Sequence, residues 1–348
     1  MNRPFHLIPC ALLLAASVTA QPKPPQAPPP PKPTAEPLPL PGGEGGVGLD
    51  DLSYSPMLDR VLIPAGGTGK LQLVNPMTRK MEEVGGFQSA APSGEGHGHG
   101  AGTTSAEEGN GWIFAIDRSA LRLNVIDPKK KIMVGGTGLA GSPDYVRYVA
   151  ATHEVWVTEP DKDGIEIFSL SAANPPVPAH AAFLSIPGGP EALVIDKAGK
   201  RAFANLWKSS TVVIDLATRK VTQTWPNGCE GSRGLAMDPL RHLLFVGCAE
   251  GGADTLDLAK NGAVKDRFRF GAGTDIIAYN AGLQHLYVPA SKTGEMAIVK
   301  VYDDGRMSQI ATVTTAVGAH CAVTDDHRQV WICDPKGGRV LVMRDTTR

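Results

Sequence analysis

The sequence predicts an all-β domain: a ring of seven four-stranded sheets, a seven-bladed β-propeller closed by an N-terminal strand. Three observations carry this. One pattern of short β-branched and aromatic runs recurs seven times, turns rich in Asp, Asn, Gly and Pro separate the runs, and the last copy is one strand short. The chain has 348 residues, 42% of them hydrophobic and 20% charged, with 40 Gly and 29 Pro. That is ample for a large core, and equal repeats allow a chain of this length to be one domain.

The first segment reads as a secretion signal, residues 1–20. Arg3 supplies the positive start, the apolar stretch Leu7 to Ala16 is too short to span a bilayer, and Val18-Thr19-Ala20 offers the small residues a signal peptidase requires. Cys10 lies near the beginning of the apolar run rather than after it, which argues against lipidation. A mature chain starting at Gln21 then opens on a proline-rich linker, residues 21–36. From Gln21 to Pro41, 11 of 21 residues are proline, so this stretch favours extended polyproline II and reads as a semi-rigid spacer.

The propeller is expected over 37–348. Its copies open at Leu49 (LDDLSYSPMLDRVLI), Gly111 (GWIFAIDRSALRLNVID, with a degenerate front end), Ser142 (SPDYVRYVAATHEVWV), Gly189 (GPEALVIDKAGKRAFA), Gly231 (GSRGLAMDPLRHLLFV), Gly273 (GTDIIAYNAGLQHLYV) and Gly318 (GAHCAVTDDHRQVWIC). From the third copy on, their spacing is about 42–47 residues, which accommodates four strands of ordinary length with their turns. A single such sheet cannot bury both faces, and radial packing of copies does so. No segment keeps a helical period. The last copy stops after its third strand, and Leu38-Pro39-Leu40 is expected to supply the fourth, removing two open sheet edges.

These residues resemble the YncE-like, YVTN-repeat family of bacterial exported β-propellers. The resemblance rests on a small-x-acidic/polar entry to the first strand, an Asp-x-x-x-(His/Arg) turn, second strands VWV, LFV or LYV, and third strands VID or NVID. It covers about Leu38 to Arg348. It departs where the second blade carries an insertion, and the tryptophan-aspartate signature of another propeller class is absent. The resemblance implies a non-catalytic binding or scaffold propeller, periplasmic or secreted.

Standard enzyme motifs do not fit. GGTGKL, Gly66 to Leu71, lacks the leading Gly and the Ser/Thr of a phosphate loop, and DKDG, Asp161 to Gly164, lacks the downstream acidic ligand of a calcium loop. Both fall where a hairpin turn is expected. HEVWV at His153 has no second histidine at zinc-protease spacing. With 34 basic and 35 acidic residues the chain has no electrostatic footprint for nucleic acid, and no membrane span follows the signal. A monomer is expected.

Chemistry is therefore sought by position. The residue entering each innermost strand of a propeller lies at one channel mouth, which gives Asp50, an undetermined residue in the second blade, Asp144, Glu191, Arg233, Asp275 and His320. Four carboxylates against one arginine favour a cation, or a cationic or polyhydroxy ligand, and disfavour phosphate-rich ones. The insertion Ser89 to Gly111 should emerge on the same face, bringing His97 and His99. With His320, these imidazoles suit a divalent metal ion, whose affinity would fall below about pH 6.5 as imidazoles protonate. His153, His242, His285 and His327 recur at turns on the opposite face and read as turn residues. The mature chain's four cysteines allow three pairings, and Cys229–Cys248 and Cys321–Cys333, each within one blade, are preferred because antiparallel neighbours bring those positions together. The functional expectation is a binding propeller taking a small-molecule, metal or protein ligand at an acidic mouth. The alternative is a metal-dependent hydrolase of lactonase type, and a quinone-linked dehydrogenase ranks third.

Overall fold

The computed structural model describes Met1 and residues 33–89 and 100–347. The expected signal peptide, the linker as far as residue 32, and His97 and His99 lie outside the described residues. The unit Lys32–Arg348 contains every described strand. Among the described residues no helix is long and apolar enough to cross a membrane.

The protein is an all-β seven-bladed propeller of seven antiparallel four-stranded sheets. Six blades are local meanders whose innermost strands are Ser53–Ser55, Thr103–Gly109, Val146–Val149, Leu193–Asp196, Ser232–Asp238 and Ala278–Asn280. The seventh joins Ala322–Thr324, Gln329–Asp334 and Arg339–Arg344 to Glu36–Pro39 from the other end of the chain. Innermost strands of successive blades touch, and that of the first also touches that of the seventh, so the ring is closed.

Blade packing explains the hydrophobic runs. Glu154–Glu159 and Gln329–Asp334, second strands of their blades, are buried at every position because a neighbouring blade covers each face. Outer strands such as Lys220–Pro226 are mostly exposed. Trp156 and Trp331, on those second strands, have no solvent exposure. The recurring turn motif is equally physical. Asp238 Oδ1 accepts the amides of Leu240 and Arg241, Asp196 Oδ1 that of Gly199, and Asp325 Oδ1 that of His327. The turn ends on a left-handed residue: His153, Lys200, His242, Gln284 or Arg328. In blades two to six the pairing of third and fourth strands slips by one residue, for example at Val125/Ile126 and Val213/Ile214. Such bulges increase the twist of the outer strand.

The closing strand is the expected one, begun two residues earlier, at Glu36. Glu36 pairs with Val342, Leu38 with Val340 and Pro39 with Arg339. The Leu40 amide donates to Gly338 O at 3.1 Å, so Glu36, Leu38 and Leu40 share the inward-donating parity. Pro37 and Pro39 fall on the other parity, where an edge strand needs no donor. Just past the last strand, Asp345 Oδ2 accepts the Tyr287 hydroxyl (2.7 Å) and meets His285 Nδ1 (2.7 Å), tying the C-terminal segment to blade six. Burial alone would raise the Asp345 carboxyl, but the hydrogen bonds from His285, Thr347 and Tyr287 outweigh it and hold it down at about 2.

Deleting residues 21–33 should leave the denaturant midpoint nearly unchanged, whereas deleting 21–41 should lower stability by several kcal/mol, on the order of one strand's burial. Equal unfolding curves for the two truncations would refute closure by this strand. The depressed Asp345 carboxyl contributes stability that is present above its unfolded value near 3.8 and lost as pH falls through about 2. Asp345→Asn should therefore cost about 2 kcal/mol at neutral pH, with the gap from wild type closing below pH 3 in chemical unfolding.

Candidate functional site

Backbone hydrogen bonds between innermost strands fix which residues share one level of the channel. The Gly234 amide donates to Asp275 O (3.0 Å), Ile276 to His320 O (3.1 Å) and Asp51 to Thr104 O (3.1 Å). Each step runs from the residue after the mouth position of one blade to the mouth residue of the next. Thr104 is thus the second blade's mouth residue, which the sequence left undetermined. The long insertion and a front end without a carboxylate hid it, and the sole signal was the Thr103-Thr104-Ser105 run before the first apolar strand residue.

Three mouth residues from consecutive blades converge. Asp50, Asp275 and His320, from blades one, six and seven, each bring a ligand atom to within 4.8 Å of the others. Asp50 is buried, and Asp275 and His320 are half-buried. His320 Nδ1 lies 2.8 Å from Gly318 O, and a carbonyl can only accept, so Nδ1 carries the proton. Nε2 is sealed from solvent and without a hydrogen-bond partner among the described residues. The adjoining Cys321–Cys333 disulfide braces this histidine, with Cys333 Sγ 3.8 Å from its Nδ1.

The remaining mouth carboxylates have arginine neighbours. Arg118 Nη2 reaches Asp144 Oδ1 at 3.2 Å, and Arg233 Nε lies 3.8 Å from Glu191 Oε1 while its guanidinium stacks 5.4 Å over the Trp207 ring. Buried Tyr145 stands among all four carboxylates. Burial foremost, then the charges of Asp275, Glu191, Asp144 and Asp50, pushes its phenol far above the usual range, so it remains a neutral hydroxyl.

Further along the same strands an ion pair crosses between blades. Arg147 donates to both oxygens of buried Asp51 (2.6 and 3.1 Å) and to Leu193 O (3.0 Å), joining blades one, three and four. The Ser105 hydroxyl of blade two also donates to Asp51. The insertion returns to the described chain at Gly100, whose backbone packs so closely on Gly48 that a Cβ on either would lie 2.6 Å from the other's Cα. Gly48 is two residues from Asp50, so the returning end of the loop reaches the mouth.

The other sequence-selected residues lie elsewhere. His153 and His242 occupy left-handed turn positions, His327 bonds Asp59 (2.9 Å) and His285 bonds Asp345, all at the strand ends opposite the mouth. GGTGKL forms a hairpin turn whose Lys70 pairs with Glu83 (2.7 Å), and DKDG forms the turn around Pro160–Lys162. Cys229 pairs with Cys248 and Cys321 with Cys333, each within one blade.

No family model matches the chain, and no curated protein matches its sequence. Its fold is similar to those of diverse propellers. Hydrazine synthase from Kuenenia stuttgartiensis superposes with a TM-score of 0.70 at 14% identity over 87% of this chain and 97% of that one. A chain of a mitotic checkpoint complex gives 0.72 at 11% over 96% and 99%. A lactonase-like propeller from Bacteroides uniformis gives 0.64 at 13% over 76% and 85%. Likeness at these identities shows the fold alone.

Arg147→Met should cost about 3–5 kcal/mol in denaturant unfolding, because it strands the buried Asp51 carboxylate, and Asp51→Leu combined with Arg147→Met should recover most of the loss. A single-variant cost under about 1 kcal/mol would mean the pair does not hold the channel.

Proposed function

We propose that this protein is an exported binding propeller of the YncE-like, YVTN-repeat kind whose channel mouth takes a divalent cation, alone or as the bridge to a small ligand. The observation that carries the reading is the meeting of Asp50, Asp275 and His320 within 4.8 Å. Two carboxylate oxygens and one neutral imidazole nitrogen form a donor set suited to zinc, manganese or another first-row divalent ion, and open positions would remain for a ligand or water. The hydrogen bond from His320 Nδ1 to Gly318 O supports it, since a neutral ring so held would offer its Nε2 lone pair to a metal. Asp144 and Glu191 add negative field, reduced by Arg118 and Arg233, so moderate affinity is expected. Two disulfides suit an oxidising compartment outside the cytoplasm. His97 and His99 would add imidazoles from the loop that ends beside Gly48.

A second reading uses the same three side chains. An ion held there could polarise a lactone carbonyl, making the protein a metal-dependent hydrolase.

Calorimetry with zinc, manganese and calcium on the mature protein tests both. Wild type should bind one ion, with affinity at least 10-fold weaker in Asp275→Asn and in His320→Ala and moderately weaker in His97→Ala/His99→Ala. No binding by wild type would sink the cation reading. Lactone turnover by metal-loaded wild type that disappears in Asp275→Asn would replace the binding role with the hydrolase.

A further inference from the structure

One cation of the mouth is only partly engaged by its neighbours. Arg233, Asp275 and His320 are the mouth residues of blades five, six and seven, and backbone hydrogen bonds join each blade to the next, Gly234 N to Asp275 O and Ile276 N to His320 O. Arg118, from blade two, commits its Nε to the Ser142 hydroxyl and its Nη2 to Asp144. Arg233 is held more loosely. Its Nη1 donates to Ser232 O (3.0 Å), while its Nε stands 3.8 Å from Glu191 Oε1, beyond hydrogen-bond distance. The guanidinium lies 5.4 Å over the Trp207 ring, and both groups stay open to solvent, the Arg233 side chain at 29% and Trp207 at 36%.

A buried polar network fixes this pair. Trp207 lies in the turn between the second and third strands of blade four, at the mouth end. Its amide donates to Gly188 O (2.7 Å), and its carbonyl accepts the Ser232 amide (3.2 Å). Asn205 Nδ2 donates to Arg233 O. The Thr211 hydroxyl donates to Asn205 Oδ1 (2.6 Å), and Asn227 Nδ2 donates to Thr211 Oγ1 (3.1 Å) and to Ser232 Oγ (2.8 Å). Asn205, Thr211, Asn227 and Ser232 have no solvent exposure. Four polar side chains buried together add little apolar contact. Satisfied in this way, they hold the backbone of Arg233 and Trp207 in one arrangement across blades four and five.

We propose that Arg233, braced on Trp207, is a carboxylate-binding arm of the mouth, and that the small ligand bridged by the mouth ion is a planar monocarboxylate. Stacking uses the face of a guanidinium and leaves its in-plane N–H groups free to donate, and that fork matches the two oxygens of a carboxylate. The exposed part of the Trp207 ring offers apolar contact to a planar body attached to the carboxylate. Arg233 belongs to the blade next to that of Asp275, so one carboxylate group would meet the ion and the guanidinium together. Glu191 and Asp144 stand on the same ring of mouth positions, and their charge opposes a dianion such as a phosphate ester more than a monoanion. The inference rests on the cation reading for the ion and on the Arg233–Trp207 geometry for the arm.

Ligand-observed NMR with benzoate on the zinc-loaded mature protein tests the arm. Benzoate should bind wild type, and bind Arg233→Gln about 10-fold more weakly, the loss of a charged hydrogen bond. Trp207→Ala should weaken it about 3- to 5-fold. Arg233→Lys, which keeps the charge and loses the fork, should fall between wild type and Arg233→Gln. Benzamide, the neutral isostere, should not distinguish the four proteins. Arg233→Gln also removes a positive charge next to Asp275, so zinc alone should bind it roughly 2- to 5-fold more tightly in calorimetry, a gain that a damaged mouth would not produce. Equal benzoate affinity in wild type and Arg233→Gln, or tighter binding of phenyl phosphate than of benzoate, overturns the carboxylate arm. If wild type takes no zinc, the cation reading fails by itself: benzoate bound by the metal-free protein and weakened by Arg233→Gln keeps the arm, and no such binding overturns it as well.

Discussion

Everything in this structure depends on closing a ring of sheets. Each blade buries its faces only against the next, so an open ring would expose two blade faces and two strand edges. The chain meets this constraint by sending Glu36–Pro39, from before the first blade, onto Arg339–Arg344 of the last. The strand is half proline, an odd choice for a sheet, yet its prolines sit on the parity that faces outward, and the same residues that permit pairing on one side forbid it on the other. Closure and protection of the remaining edge are one device. The Asp345 network then fixes the last strand's exit to blade six, so the seventh blade is held from its neighbour as well as from within.

Closure also sets what the mouth can be. Backbone hydrogen bonds that pass between innermost strands join blades one and two and blades five, six and seven at one level, and each of these blades supplies one side chain there. Position is imposed by the fold, while identity is left to the sequence. Asp50, His320 and Asp275 fall on consecutive blades and meet. Asp144 and Glu191, further round, meet arginines instead. The asymmetry of an otherwise repeated ring is where a specific ligand could be distinguished from a non-specific counter-ion.

Most of the architecture was legible because propeller repeats encode turns and strands. The Asp that opens the first turn in blades four, five and seven takes the turn's own amides, and the apolar second strands follow from burial on both faces, so both leave regular marks in sequence. The outer-strand bulges left none, since a one-residue slip such as that at Val213/Ile214 depends on twist accumulated across the blade. The closing strand was found, but it begins two residues earlier than expected, because its prolines mark an extended edge without marking where pairing starts. In the site, the mouth positions could be read by aligning copies, except in the second blade, where insertion removed the alignment and Thr104 emerged only from the Asp51 hydrogen bond.

The distribution of buried charge separates two jobs. Deeper in the channel, Asp51 and Arg147 satisfy each other through two hydrogen bonds while joining three blades, which is how a protein carries an ion pair inside without leaving it available for chemistry. At the mouth, acids outnumber bases, and the phenol of Tyr145 is kept neutral by the field they create. In the proposed reading, an ion held by Asp50, Asp275 and His320 would add positive charge at the level where these carboxylates gather.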